Sequence, residues 1–138
     1  MKQRIAHIAL VVKDYEETID FYTNKLDFIL LEDSKIDEKK RWVLDAPLCA
    51  KKCSLLLAKA ANEQQCKSSG NQTGGRVFLF LFTDDFWRVY KKMVGRKINF
   101  VEPPTEFEYG RVAVFEDLYG NLRDLIEPNE SNKEIIKE

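Results

Sequence analysis

The chain has one histidine, three cysteines, four prolines and six glycines among 138 residues. An odd cysteine count, with Cys49 and Cys53 separated by three residues and Cys66 alone, supplies neither a disulfide framework nor the two paired ligands of a zinc knuckle. The thiols read as reduced, which points to the cytoplasm. Lysine and arginine number 22 against 23 acids, so the basic excess that would neutralise a run of phosphates is missing and nucleic acid is not an expected partner. No apolar run approaches the roughly 18 residues of a membrane span. The apolar start, Ile5 to Val12, contains His7, lacks a small-residue cleavage site and runs into Lys13-Asp14-Tyr15-Glu16-Glu17, so it reads as a strand rather than a leader. A soluble protein is expected, and 138 residues bury enough surface for a core without staples.

What is present is a repeat. Adding 70 to a residue number carries His7, Ala9 and Val11 to Val77, Leu79 and Leu81, Asp14 to Asp84, Arg41 to Arg111, and Ser54-Leu55-Leu56 to Asp124-Leu125-Ile126. Such self-similarity is best recognised before individual elements are assigned. In each half a β run ends at an aspartate, Asp14 or Asp84, able to accept from the free amides of a helix start, and Glu17 completes a capping box in the first. Helical spacing follows at Ile19, Tyr22 and Leu26, and at Phe86, Val89 and Met93. Three strand-like runs then complete each half as βαβββ. The repeats span about residues 1–59 and 76–128, joined by a polar, turn-rich connecting loop over 60–75 and followed by a polar tail over 129–138. The whole reads as one domain of α+β class.

Two βαβββ units, a histidine on the first strand, Ala9-Leu10-Val11-Val12-Lys13-Asp14 before a helix bearing Phe21-Tyr22, and the late turn Phe115-Glu116-Asp117-Leu118-Tyr119-Gly120-Asn121 resemble the vicinal oxygen chelate superfamily. That group includes glyoxalases, extradiol dioxygenases and bleomycin- or fosfomycin-resistance proteins. Leu118 stands where the family often has proline. The resemblance implies a half-open, glyoxalase-like barrel, a symmetric homodimer, and a cleft between the units that in many members holds a divalent metal. The four family ligand positions fall at His7, Ser54, Val77 and Asp124. Val77 has no donor atom and a serine hydroxyl is a poor ligand for a transition metal, which leaves His7 and Asp124 as a partial set and a weakly held divalent metal or none. A ring-cleaving dioxygenase needs two histidines and a carboxylate on iron, and one chain here supplies a single histidine.

His7 and Asp124 are therefore the candidate catalytic pair, as metal ligands or as acid and base. A partly dry, unpaired Asp124 is expected to have a raised pKa. By strand alternation from His7, the leucines of Val77–Phe82 face the cleft and Phe78, Phe80 and Phe82 face a helix. Val77, Leu79 and Leu81, with Trp42, Phe107 and Tyr109 on or beside late strands and loops, become candidate ligand contacts. Arg111, like its repeat mate Arg41, is a candidate for a substrate carboxylate, set against an ion pair with a neighbour such as Glu108. Two functions follow from the resemblance. One is a metal-free binder of a small molecule, of bleomycin-resistance type; the other is a metal-dependent lyase or isomerase of glyoxalase type acting on a small oxygenated metabolite.

Overall fold

In the computed structural model, which describes residues 1–50 and 52–130, the chain divides into two compact units, Met1–Gly70 and Asn71–Glu138. The first contains β1 (His7–Val12), α1 (Tyr15–Asp20, continued by a π-helical turn over Phe21–Lys25), β2 (Ile29–Lys35), β3 (Arg41–Ala46), β4 (Ser54–Lys59) and α2 (Glu63–Ser68). The second contains β5 (Val77–Phe82), α3 (Phe86–Gly95), β6 (Phe100–Phe107), β7 (Gly110–Glu116) and β8 (Leu122–Pro128). Each unit builds its own four-stranded sheet, ordered β1-β4-β3-β2 and β5-β8-β7-β6. The first and last strands pair in parallel and the other neighbours are antiparallel. This is the α+β architecture of two βαβββ units that the repeat predicts. The polar tail expected from residue 129 lies outside the described residues from Ser131 onward.

Asp14 stops β1 and starts α1: its Oδ2 accepts from the Glu17 amide at 2.9 Å. The helix buries Tyr15, Thr18 and Tyr22, whereas Ile19 and Leu26 are only half-buried. That displaces the expected Ile19–Tyr22–Leu26 face by one residue. The reason is Thr18, whose hydroxyl donates to the Asp14 carbonyl at 2.6 Å and so hides a polar side chain at a core position. The Tyr15 hydroxyl meets both backbone groups of Arg41, accepting from its amide at 3.2 Å and donating to its carbonyl at 3.4 Å. Helix and sheet are thereby joined at the start of β3.

The second helix departs from its repeat mate at the cap. Asp85, not Asp84, occupies the cap position and makes no side-chain capping bond. The Phe86 amide donates instead to Glu127 Oε1 on β8, at 3.0 Å. A carboxylate from a different strand satisfies a free helix amide, and no local spacing signals it. Phe86 and Met93 are buried and Val89 half-buried, as the i, i+3, i+7 set predicts. The expected connecting loop contains α2: Asn62 accepts from the Gln65 amide at 2.9 Å and Gln65 Oε1 accepts from the Ala61 amide at 2.7 Å. This reciprocal cap is a variant of the capping box and turns part of a polar connection into helix.

The turn between β7 and β8 is organised by Asp117, 6% exposed. Its Oδ1 accepts from the amides of Tyr119, Gly120 and Asn121 at 2.9–3.1 Å, and its Oδ2 from Asn121 Nδ2 at 3.0 Å and Arg123 Nη2 at 3.1 Å. Gly120 takes φ +106° there, which glycine adopts without strain. At the other end of β7, a Cβ on Gly110 would strike the Glu127 carbonyl, so only glycine allows these strands to pair to their ends. Truncating Asp117 removes the 3.1 Å ion pair of the buried Arg123 guanidinium. Asp117→Ala is expected to cost about 3 kcal/mol and Asp14→Ala about 1 kcal/mol, whereas Asp85→Ala should fall within about 0.5 kcal/mol of the parent, all read by urea unfolding.

Candidate functional site

In the first unit, strand pairing sorts side chains onto two faces. His7, Ala9 and Val11 pair with Ser54, Leu56 and Ala58, and Leu44 pairs with Leu56, so Trp42, two residues from Leu44, shares their face. The other face carries Leu10, Val12, Val43, Leu55 and Leu57, all buried, with α1. On the open face His7 Nδ1 lies 2.7 Å from Ser54 Oγ. The indole of Trp42 meets the imidazole edge-on, with centroids 5.9 Å apart at 81°. Nε2 of His7 makes no hydrogen bond with a described residue. Where Nδ1 carries the proton, it donates to Ser54 and leaves the Nε2 lone pair free on the open face.

Beside this face, at the C-terminal ends of β1 and β4, the structure contains a cavity of about 1010 Å³. Its walls are the β2–β3 hairpin and the start of α2, and Trp42, Leu56 and Ala58 lie in its lining. Sequence reasoning named Trp42 but neither Leu56 nor Ala58. Their signal was available, since they follow Ser54 on alternate positions of the same strand.

The second unit reverses one expectation. Val77 pairs with Leu122, but a register shift follows, and Leu79, Phe80, Leu81 and Phe82 pair with Arg123, Asp124, Leu125 and Ile126. Parallel partners point the same way, so Phe80 and Phe82 share the face of Asp124 and Ile126. Leu79 and Leu81 lie with Arg123 and Leu125 on the face that carries α3. The expected ligand contacts Leu79 and Leu81 are therefore on the wrong face. An extra residue in one strand flips every side chain beyond it, and the unbroken Val-Phe-Leu-Phe-Leu-Phe run gives no sign of where it falls. Val77, before the shift, stays on the Asp124 face.

Asp124 is half-buried and makes no hydrogen bond or ion pair with a described residue. Its carboxyl is held above the ordinary aspartate range, first by burial and second by the negative charge of Glu102. Glu102 pairs with Val114, which pairs with Asp124, so the two carboxyls flank Val114 on one face. Sequence reasoning expected the raised pKa and missed Glu102, whose strand is shifted twice in register.

Arg111 is not on the open face. Its guanidinium lies over the rings of Phe86 and Trp87, with Nε 2.5 Å from Glu106 and Nη1 3.9 Å from Glu127. The acidic neighbours are thus Glu106 and Glu127 rather than Glu108. Its repeat mate Arg41 lies over Tyr15 and pairs with Asp33 and Glu16, carboxylates that raise its pKa further. Both arginines join a helix to its sheet and are corrected from ligand candidates to structural ties. Phe107 and Tyr109 stack at 5.3 Å and 4°, both about half exposed, at the tip of the β6–β7 hairpin. They form a separate patch, and no pairing places them with Asp124.

The donor set does not fit a metal. Among the described residues no three His, Cys, Asp or Glu side chains cluster as an ion requires. Ser54 engages Nδ1 of His7, Val77 offers no donor, and the β5 residue in register with Asp124 is Phe80.

The sequence pattern described as the Glyoxalase/Bleomycin resistance protein/Dioxygenase superfamily matches residues 4–125, and the chain belongs to that superfamily. It is 59% identical over 131 residues to an uncharacterized protein of Shewanella frigidimarina (strain NCIMB 400), a match covering 94% of this chain and 97% of that one. Among solved structures it is similar to UcmS2, with TM-score 0.80 and 25% identity, covering 91% and 98% of the two chains. It is also similar to TnmS3, an antibiotic binding protein from Streptomyces sp. CB03234, with TM-score 0.77 and 27% identity over 93% and 98%.

The Asp124 environment makes a pH prediction. A raised pKa means that the folded chain keeps this proton to higher pH than the unfolded chain, so stability falls as pH rises past about 4 toward the folded value. Asp124→Asn removes that loss. Its melting temperature should exceed the parent's at pH 7, and the gap should close below about pH 4.

Proposed function

We propose that this chain is a metal-independent binder of a small organic molecule, of the bleomycin-resistance kind, rather than a metal-dependent lyase or isomerase. The observation that carries the reading is the His7–Ser54 hydrogen bond. Of the four positions at which the superfamily places metal ligands, Ser54 is taken up by Nδ1 of His7 and Val77 has no donor, which leaves only His7 Nε2 and Asp124. The cavity beside Trp42 is of the size that drug-like ligands occupy, and such pockets hold ligands mainly by burial of apolar and aromatic surface. The antibiotic-binding activity named for TnmS3 supports the same class.

A metal-independent acid–base enzyme is the second reading. It is favoured by the raised pKa of Asp124 and by the free Nε2 of His7. As a further part of the proposal, the chain works as a homodimer. The β2 edge strand exposes Ile29, Leu30 and Leu31 in a row, which an unpaired strand needs to cover. The three free, exposed thiols suit a reducing compartment such as the cytoplasm. No helix of the described residues is long and apolar enough to cross a membrane.

The test is metal analysis of protein purified without chelator or metal-affinity tag, together with assay of the methylglyoxal–glutathione hemithioacetal. Metal far below one per chain and no turnover are expected. A metal content near one per chain that disappears with hemithioacetal turnover in His7→Ala or Asp124→Ala would overturn the reading.

A further inference from the structure

We infer that the ligand of the first unit's cavity is a planar aromatic anion, an arene carrying a carboxylate or a group of like charge. This rests on the small-molecule-binding reading and names the chemistry of that site. Its apolar part is set by shape. The apolar lining combines Trp42 and Tyr15 with Leu56, Leu57 and Ala58, and Ala60 and Ala61 continue it. A flat ring system fits over small side chains and stacks on an indole, gaining contact at little conformational cost.

Its charge is set by the ion-pair inventory of the same walls. Lys35, Lys39, Lys40, Arg41 and Lys59 line the cavity together with Asp14, Asp33, Asp37 and Glu38. Two of the four acids, Asp33 and Glu38, are paired with cations of the same walls. Asp33 uses both oxygens on Arg41, at 3.0 and 2.5 Å, and Glu38 lies 3.8 Å from Lys35. Asp14 and Asp37 accept only from backbone amides, which leaves their charge in place, so the lining carries five cations against four acids.

The ammonium groups of Lys39, Lys40 and Lys59 make no ion pair with a described residue. Two of them come from the hairpin and the third from the end of β4, on different walls of one cavity. An anion held between them would gain favourable charge interactions that a neutral molecule of the same shape would lack. The cation at the start of β3, Arg41, is paired with Asp33 and Glu16 and does not compete for it.

Three naphthalene probes of matched size test this on the full chain by calorimetry at low salt: naphthalene-2-carboxylate, 2-naphthylmethanol and 2-naphthylmethylammonium. The carboxylate is expected to bind at least about tenfold more tightly than either of the others. The preference should shrink at high salt and vanish in Lys39→Gln/Lys40→Gln/Lys59→Gln, while the affinity for the alcohol stays unchanged. All three should weaken in Ala58→Leu, which adds bulk to the lining without removing Trp42. Equal binding of carboxylate and alcohol, both lost in Ala58→Leu, would overturn the anion assignment and leave the binding reading standing. Tightest binding of the ammonium would do the same. Binding of none of the probes would count against both.

Discussion

The parallel register between the first and last strand of each unit decides which side chains can act together. These strands are joined only through the intervening helix and two further strands, so their alignment is a tertiary choice, made by the side chains that lock it. In the first unit the lock is visible: His7 pairs with Ser54 in the ladder and through a 2.7 Å side-chain hydrogen bond. In the second, the β5–β8 ladder shifts after Val77 and places Phe80 beside Asp124. One unit thus presents a histidine–serine pair next to an indole. The other presents a carboxyl raised in pKa among apolar side chains.

Around these registers the two units use equivalent positions for equivalent mechanical work. Arg41 and Arg111 each lie over an aromatic ring of the first helical turn and pair with carboxylates on neighbouring elements. A guanidinium can stack and pair at once, and this dual use suits the junction of helix and sheet. The units diverge at their caps. Asp14 serves α1 from its own chain end, while Glu127 reaches α3 from β8. That role keeps Glu127 on the helix-covered face, away from Asp124.

Much of this was legible in the sequence because periodicity and offset are local properties. The 70-residue offset places the strands of β1 and β5 at matching bounds, His7–Val12 and Val77–Phe82, and the turn residues Asp117, Gly120 and Asn121 stand where the resemblance puts them. The failures have one physical type. Leu79 and Leu81 were assigned to the open face by counting alternation, and alternation cannot reveal an extra residue in a strand; Arg111 was read from its repeat position, which does not say which carboxylates meet it. Thr18 shows the same blindness in a helix, since a hydroxyl satisfied by the previous turn is as well buried as an isoleucine. The α2 cap was readable from Asn62 and Gln65 and was masked by the polarity of the segment.

The account of the second unit turns on the shifted β5 register, because it replaces Leu79 and Leu81 by Phe80 and Phe82 beside Asp124. Methyl–methyl nuclear Overhauser effects in selectively labelled protein report it directly. The observed register pairs Leu81 with Leu125 and puts Leu79 on the opposite face from Ile126. A strong Leu81–Leu125 cross-peak with no Leu79–Ile126 cross-peak is the predicted result. A Leu79–Ile126 cross-peak in place of Leu81–Leu125 would restore the unshifted alternation and contradict the account.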